Sequence, residues 1–190
     1  MSSLEQFRRT RKKMENKDLK SVSEKLASLK SARILLRRSF GRKLSTADIQ
    51  TKVAFMEATN ETDYMKTMNP RNFFIVTLMA SQMGMNGKTV KMPEYLNSVY
   101  NDSNASDTRK RQIVKLFSLD PRYEEYFISE IAKQIRFAHT KGVKIDEELL
   151  YRDLSFWKDR TSDVAENWAR KTIRKAKEKS EKTLEEEKND

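Results

Sequence analysis

The chain has 190 residues, with 39 Lys and Arg against 28 Asp and Glu, a formal net charge of +11. It contains no Cys, which excludes a disulfide scaffold, a thiolate metal site and a Cys nucleophile. Its longest apolar stretch, residues 73–80, is interrupted by Thr77 and falls far short of the about 20 apolar residues a membrane-spanning helix needs. The first residues lack the apolar core of a secretory signal, so a cytoplasmic protein is expected.

Gly occurs 4 times and Pro 3 times, and no segment alternates apolar and polar residues at period two. The expected fold is all-α: two small helical-bundle lobes with no sheet. Leu19, Val22, Leu26 and Leu29 recur at steps of three and four and predict one apolar helix stripe. Residues 33–40 continue as a short helix, with Gly41 as its stop. Ser45 or Thr46 is the expected cap of the next helix, whose buried side is expected to be Ile49, Val53, Phe55 and Met56. Pro70 suits a first helical position, where its missing N–H costs nothing. The helix it opens, to about Gln82, is apolar almost all round and predicts the centre of the first bundle.

Gly84 and Gly87 mark a turn, and residues 93–100 a short helix. The stretch Asn-Asp-Ser-Asn at 101–104 reads as the boundary between lobes. Ser106 or Asp107 caps a helix with Ile113, Val114, Leu116 and Phe117 inward. Asp120 and Pro121 begin another, which buries Tyr123, Phe127, Ile131 and Ile135 and ends at Gly142. Asp146 caps a helix carrying Leu149, Leu150, Leu154 and Trp157. Thr161 or Ser162 caps a last one through Val164, Ala165, Trp168, Ala169 and Ile173. The expected organisation is a basic N-terminal arm or helix over residues 1–28, lobes over 29–104 and 105–175, and a charged, disordered tail over 176–190, where Leu184 is the one large apolar residue.

Little in the sequence suits catalysis. His139 is the only His and has no Ser or Cys partner; a polar position at a helix end, where positive charge suits the dipole, accounts for it. Asp146, Glu147 and Glu148 suggest a metal-dependent nuclease, but acidic residues also favour a first helical turn, and adjacent positions diverge around a helix. No phosphate-loop or dinucleotide motif is present, and the nine Met read as core filler. The expectation is a non-enzyme with no cofactor and no metal.

The charge is unevenly spread. Residues 1–43 hold 14 Lys and Arg against 4 Asp and Glu, residues 105–144 hold 9 against 5, and residues 145–169 hold 3 against 7. A positive field attracts polyanions, because each neutralised phosphate releases condensed counterions. Three clusters stand out: Arg33, Arg37 and Arg38 on one short helix; Arg71 just after Pro70, at a helix N-terminus that favours phosphate; and Arg109, Lys110, Arg111 and Lys115 on another helix. Each alone also reads as a solvated face. Together they predict a phosphate-tracking trough joining both lobes. Most aromatic residues fall on apolar stripes, which argues against base stacking as the main mode.

These segments resemble a family. Ala-Arg-Ile-Leu-Leu-Arg-Arg-Ser-Phe-Gly at 32–41, Asn-Pro-Arg at 69–71 before an apolar helix, Thr-Arg-Lys-Arg-Gln-Ile-Val-Lys-Leu-Phe-Ser-Leu-Asp at 108–120, residues 146–157, and Val-Ala-Glu-Asn-Trp-Ala at 164–169 are similar to segments of CasB, the small subunit of the type I-E CRISPR surveillance complex Cascade. The likeness spans roughly residues 29–173. It implies a two-lobed, helical, non-catalytic subunit. Such a subunit binds DNA and RNA, packs as two copies along the crRNA-containing backbone and large subunits, and stabilises the R-loop. No membrane and no small-molecule substrate are implied. Three other readings stay open: a free-standing basic helical DNA- or RNA-binding protein, a small nuclease using the carboxylates at 146–148, and a scaffold that touches no nucleic acid. The acidic segment 146–163 also invites docking onto the basic lobe of a second copy.

Overall fold

A computed structural model describes residues 3–119, 122–157 and 163–174 of the chain. The expected starts at Asp120 and Pro121, the cap at Thr161 or Ser162, and the tail over 176–190 lie outside the described residues. In chain order the elements are α1 (Ser3–Ser28), α2 (Lys30–Arg38), a 3-10 turn (Leu44–Thr46), α3 (Ile49–Thr59), α4 (Pro70–Gln82), β1 (Thr89–Val90), α5 (Met92–Tyr100), α6 (Asp107–Phe117), α7 (Glu124–Thr140), β2 (Lys144–Ile145), α8 (Glu147–Phe156) and α9 (Val164–Ile173). The fold is all-α. Its extended structure, among the described residues, is one parallel pairing of Thr89 with Lys144 and Val90 with Ile145.

Helix α4, whose composition predicts the centre of the first bundle, is buried almost all round, with α1, α2, α3, α7 and α8 packed against it. Asn69 caps it by accepting from the Asn72 amide, and Pro70 takes the first turn. Phe73, Phe74, Ile75, Val76, Leu78 and Met79 are all buried; each such side chain contributes about 1.5–3 kcal/mol relative to exposure. The stripe Leu19, Val22 and Leu26 buries α1, and Asp18 beside it is 3 % exposed. Its carboxylate accepts three backbone amides, from Asp63 at 3.1 Å, Tyr64 at 2.7 Å and Met65 at 3.2 Å. The Asn72 side chain donates to Tyr64 O and Thr67 O. The two side chains thus tie the loop before α4 to α1 and α4.

Three local expectations are corrected. The cap of α3 is Asp48, whose carboxylate accepts from the Thr51 amide. Ser45 instead faces α7, donating its amide (2.8 Å) and hydroxyl (2.6 Å) to Glu125. The shift of cap turns α3: Thr51, Ala54, Phe55, Ala58 and Thr59 are buried, while Ile49 (72 %), Val53 (41 %) and Met56 (49 %) face outward. Val114 and Tyr123, also expected inward, are exposed. Apolar identity misled there, because the small residues Ala54 and Ala58 allow the close helix packing that decides which face is buried.

The buried residues form one cluster running from Leu19 to Trp168, on both sides of the 101–104 stretch. Helices α7 and α8 pack on α4, and α9 packs on α5 and α6. Gln82, 5 % exposed, fastens β2 to α4. Its Oε1 accepts the Ile145 amide at 2.6 Å and its Nε2 donates to Ile145 O at 2.9 Å, so one side chain pairs both backbone groups of a strand residue. The turn before β1 touches the end of α7 closely enough that a Cβ at Gly87 would stand 1.8 Å from Gly142 O, so only glycine fits there. At the far end, Asn97 of α5 donates to the carbonyls of Lys171, Thr172 and Arg174, closing the C-terminus of α9.

Candidate nucleic-acid interface

The outward face of α7 follows from its pattern. Phe127, Ile128, Ile131, Ala132, Ile135 and Ala138 turn to the core, which leaves Tyr126, Lys133, Arg136, Phe137 and Thr140 exposed within one arc opposite. Two basic stretches flank this arc. On one side residues 37–46 run antiparallel to the helix, held at Arg136 by Gly41 and at Glu125 by Ser45. That stretch carries Arg37, Arg38, Arg42 and Lys43 and no acid. On the other side α6 runs antiparallel as well, with Arg109 against Phe137 and Lys115 against Tyr126.

The Gly41 contact is tight. Gly41 has φ +77, in the left-handed region, and a Cβ there would lie 2.0 Å from Arg136 Nη2. The guanidinium therefore lies directly on the backbone that ends α2. Arg37, one turn earlier, is exposed and close enough to His139 for its charge to act on that ring. Among the described residues no ion pair engages Arg37 or Arg136. Lys133 is paired with Glu130 and is less free to attract an anion.

His139 does not take the charged role expected of it. It is half-buried, packs 5.6 Å from the Phe40 ring, and donates from Nε2 to Gln82 Oε1 at 3.1 Å. Burial first, and Arg37 second, push its pKa below the usual histidine value, so at neutral pH it is uncharged. Of the three neighbouring carboxylates, Asp146 caps α8 by accepting from the Leu149 amide. Glu147 accepts from Gln82 Nε2 at 3.0 Å, and burial raises its pKa. Glu148 is exposed. Among the described residues no group of three or more His, Cys, Asp or Glu is arranged to hold a metal ion.

The basic residues singled out by sequence separate into four places. Arg33 and Arg37 share a face of α2, as their spacing predicts; Arg33 is half-buried, and Arg38 is exposed a further 100° round the helix from Arg37. Lys110, Arg111 and Lys115 come together on the outer side of α6. There, with Tyr100, Val114, Asp107 and Ser118, they line a shallow groove of about 520 Å³. Arg109 is turned the other way. Its guanidinium lies 4.1 Å from the Phe137 centroid, with Nε and Nη2 buried and without hydrogen-bond partners among the described residues.

Arg71 stands apart. It packs 5.5 Å from the Tyr151 ring at the start of α4, about 16 Å along the helix axis from Gln82 and the His139 corner. Sequence reasoning missed Arg136 and Lys133, although positions 126, 133, 137 and 140 recur as a polar and aromatic stripe opposite 127, 131 and 135. That stripe was legible as a solvent face. Its basic flanks were not, because both are set by contacts distant in sequence.

No family model, curated protein or solved structure compared with the chain matches it.

No helix among the described residues is long and apolar enough to cross a membrane.

Proposed function

We propose that the chain is a non-catalytic nucleic-acid-binding subunit that follows phosphate backbones without reading sequence. The observation that carries this reading is the α7 face, where Arg136 lies between the basic stretch 37–46 and the basic helix α6. Guanidinium groups without carboxylate partners are ready donors to phosphate oxygens, and a bidentate contact needs no base identity. The neutral state of His139 leaves the positive charge beside it to Arg37.

The resemblance of residues 29–173 to CasB supports a more specific form of the proposal. In it the chain is the small subunit of a type I-E CRISPR complex, in contact with crRNA-bearing backbone and large subunits and with a second copy of itself. Exchange of a DNA duplex for an RNA–DNA hybrid is nearly balanced in free energy, so backbone contacts of modest strength tip it. A surface with little sequence preference suits that task.

Two measurements test the two levels separately. Gel shifts of the full chain on unrelated sequences at 50 and 200 mM salt are expected to show affinity that is sequence-blind and falls steeply with salt. Salt-independent binding, or none, would overturn the nucleic-acid reading. Affinity purification from the native host, followed by RNA sequencing, is expected to recover repeat-derived guide RNA with neighbouring subunits. Recovery of the chain alone, still binding DNA, would favour a free-standing protein.

A further inference from the structure

Phe137 is an aromatic ring on a surface otherwise suited to phosphate. It is 38 % exposed and has the Arg109 guanidinium 4.1 Å from its centroid and Lys141 Nζ at 5.8 Å. Arg109 Nε and Nη2 are buried, so the guanidinium is the inner of the two cations that lie over the ring, with the flexible Lys141 side chain as the other. On the same side of α7, three turns earlier, Tyr126 is 42 % exposed with Lys115 Nζ 3.3 Å from its hydroxyl. Cations from α6 therefore meet exposed aromatics of α7 at two places along one helix face.

An aromatic ring serving only to cover Arg109 would turn its apolar surface inward. Phe137 instead is 38 % exposed, on the arc of α7 that also carries Arg136 and Lys133. An exposed ring among cations is the pairing that single-strand sites use, a base stacking on the ring while the backbone meets the charges. Bases in a duplex are already stacked and paired, so such a ring serves unpaired nucleotides.

We propose that Phe137, backed by Arg109, is a stacking site for a nucleobase of a single strand, with Lys141 beside it for the adjoining phosphate. The inference rests on the nucleic-acid reading above and narrows it to unpaired strands. The sequence argues against stacking as the main mode because most aromatic residues fall on apolar stripes; Phe137 is an exposed exception.

The test uses the full chain with single-stranded DNA and RNA oligonucleotides carrying 2-aminopurine, and with duplexes of the same length. Binding of the single strands is expected to quench 2-aminopurine, and Phe137→Leu is expected to abolish the quench. The same substitution should weaken single-strand binding roughly fivefold or more while leaving duplex binding and the salt slope nearly unchanged. Phe137→Tyr should keep the quench. Single-strand binding without quenching by the unsubstituted chain would overturn the stacking site whatever the variants do. Equal weakening of single strand and duplex in folded Phe137→Leu would overturn it too. Failure of the unsubstituted chain to bind any nucleic acid would remove the underlying function as well, which separates the two failures.

Discussion

The Arg136 guanidinium rests on the backbone of Gly41, at a place where any side chain at position 41 would begin 2.0 Å from Nη2. Residue 41 also has φ +77. Gly41→Ala therefore meets both the cost of a left-handed alanine, about 1 kcal/mol, and a displaced arginine. The guanidinium is the far end of a flexible chain and swings away, so the variant folds. Urea denaturation should show a loss of about 1–2 kcal/mol, and DNA affinity should fall with it. Unchanged stability and affinity would mean that this contact matters to neither.

The salt dependence of binding should locate the phosphate contacts. Arg37→Gln with Arg136→Gln is expected to lower the log–log slope by about one unit per lost contact. Arg71→Gln, at the other end of α4, is expected to leave it unchanged. The reverse pattern would move the interface to the start of α4.

Arg109 and Lys110 are neighbours in sequence with different surroundings. Arg109 lies under Phe137 and near Tyr95, whereas Lys110 borders the outer groove. Arg109→Ala should cost about 1–2 kcal/mol of stability through lost packing and a lost cation–ring contact. Lys110→Ala should stay within about 0.5 kcal/mol. Comparable melting temperatures for the two variants would contradict the buried placement of Arg109.

Stability should fall on mild acidification because of His139. Burial, helped by Arg37, lowers its folded-state pKa below the ordinary 6.5. Below pH 6.5 the unfolded chain thus binds a proton that the folded chain resists, and folding loses up to about 1.4 kcal/mol per pH unit until the folded value is reached. Glu147 and Asp153 act with the opposite sign: burial raises both, so their ionisation opposes folding and is relieved as pH falls. Denaturant midpoints at pH 7.5 and 5.5 should differ in the unsubstituted chain, and the difference should shrink in His139→Gln. An equal difference in both would assign the pH dependence elsewhere.

Asp18 holds three amides of the loop before α4. Asp18→Ala should leave those donors without their acceptor and cost about 2–4 kcal/mol. A loss below 0.5 kcal/mol in thermal or urea unfolding would show that the loop finds other partners.

The sequence by itself determined the helical class, the burial of α4 with Pro70 in its first turn, and the cap at Asp146; it offered Ser106 or Asp107 for α6, of which Ser106 is the cap. It also determined the stripes of α1 and α7. All of these are local: a helix period, a cap three residues from its amide, a proline in a first turn. The sequence placed the cap of α3 wrongly, at Ser45 or Thr46, because a hydroxyl that suits a cap can also serve a carboxylate 80 residues away, and Glu125 took it. Tertiary structure alone decided which charges meet. It put Arg136 on Gly41, turned Arg109 under Phe137 while Lys110 and Arg111 stayed outside, and left Arg71 at the opposite end of α4. Helical period fixes the angle between two side chains on one helix; which neighbour that angle faces depends on how helices far apart in the chain pack.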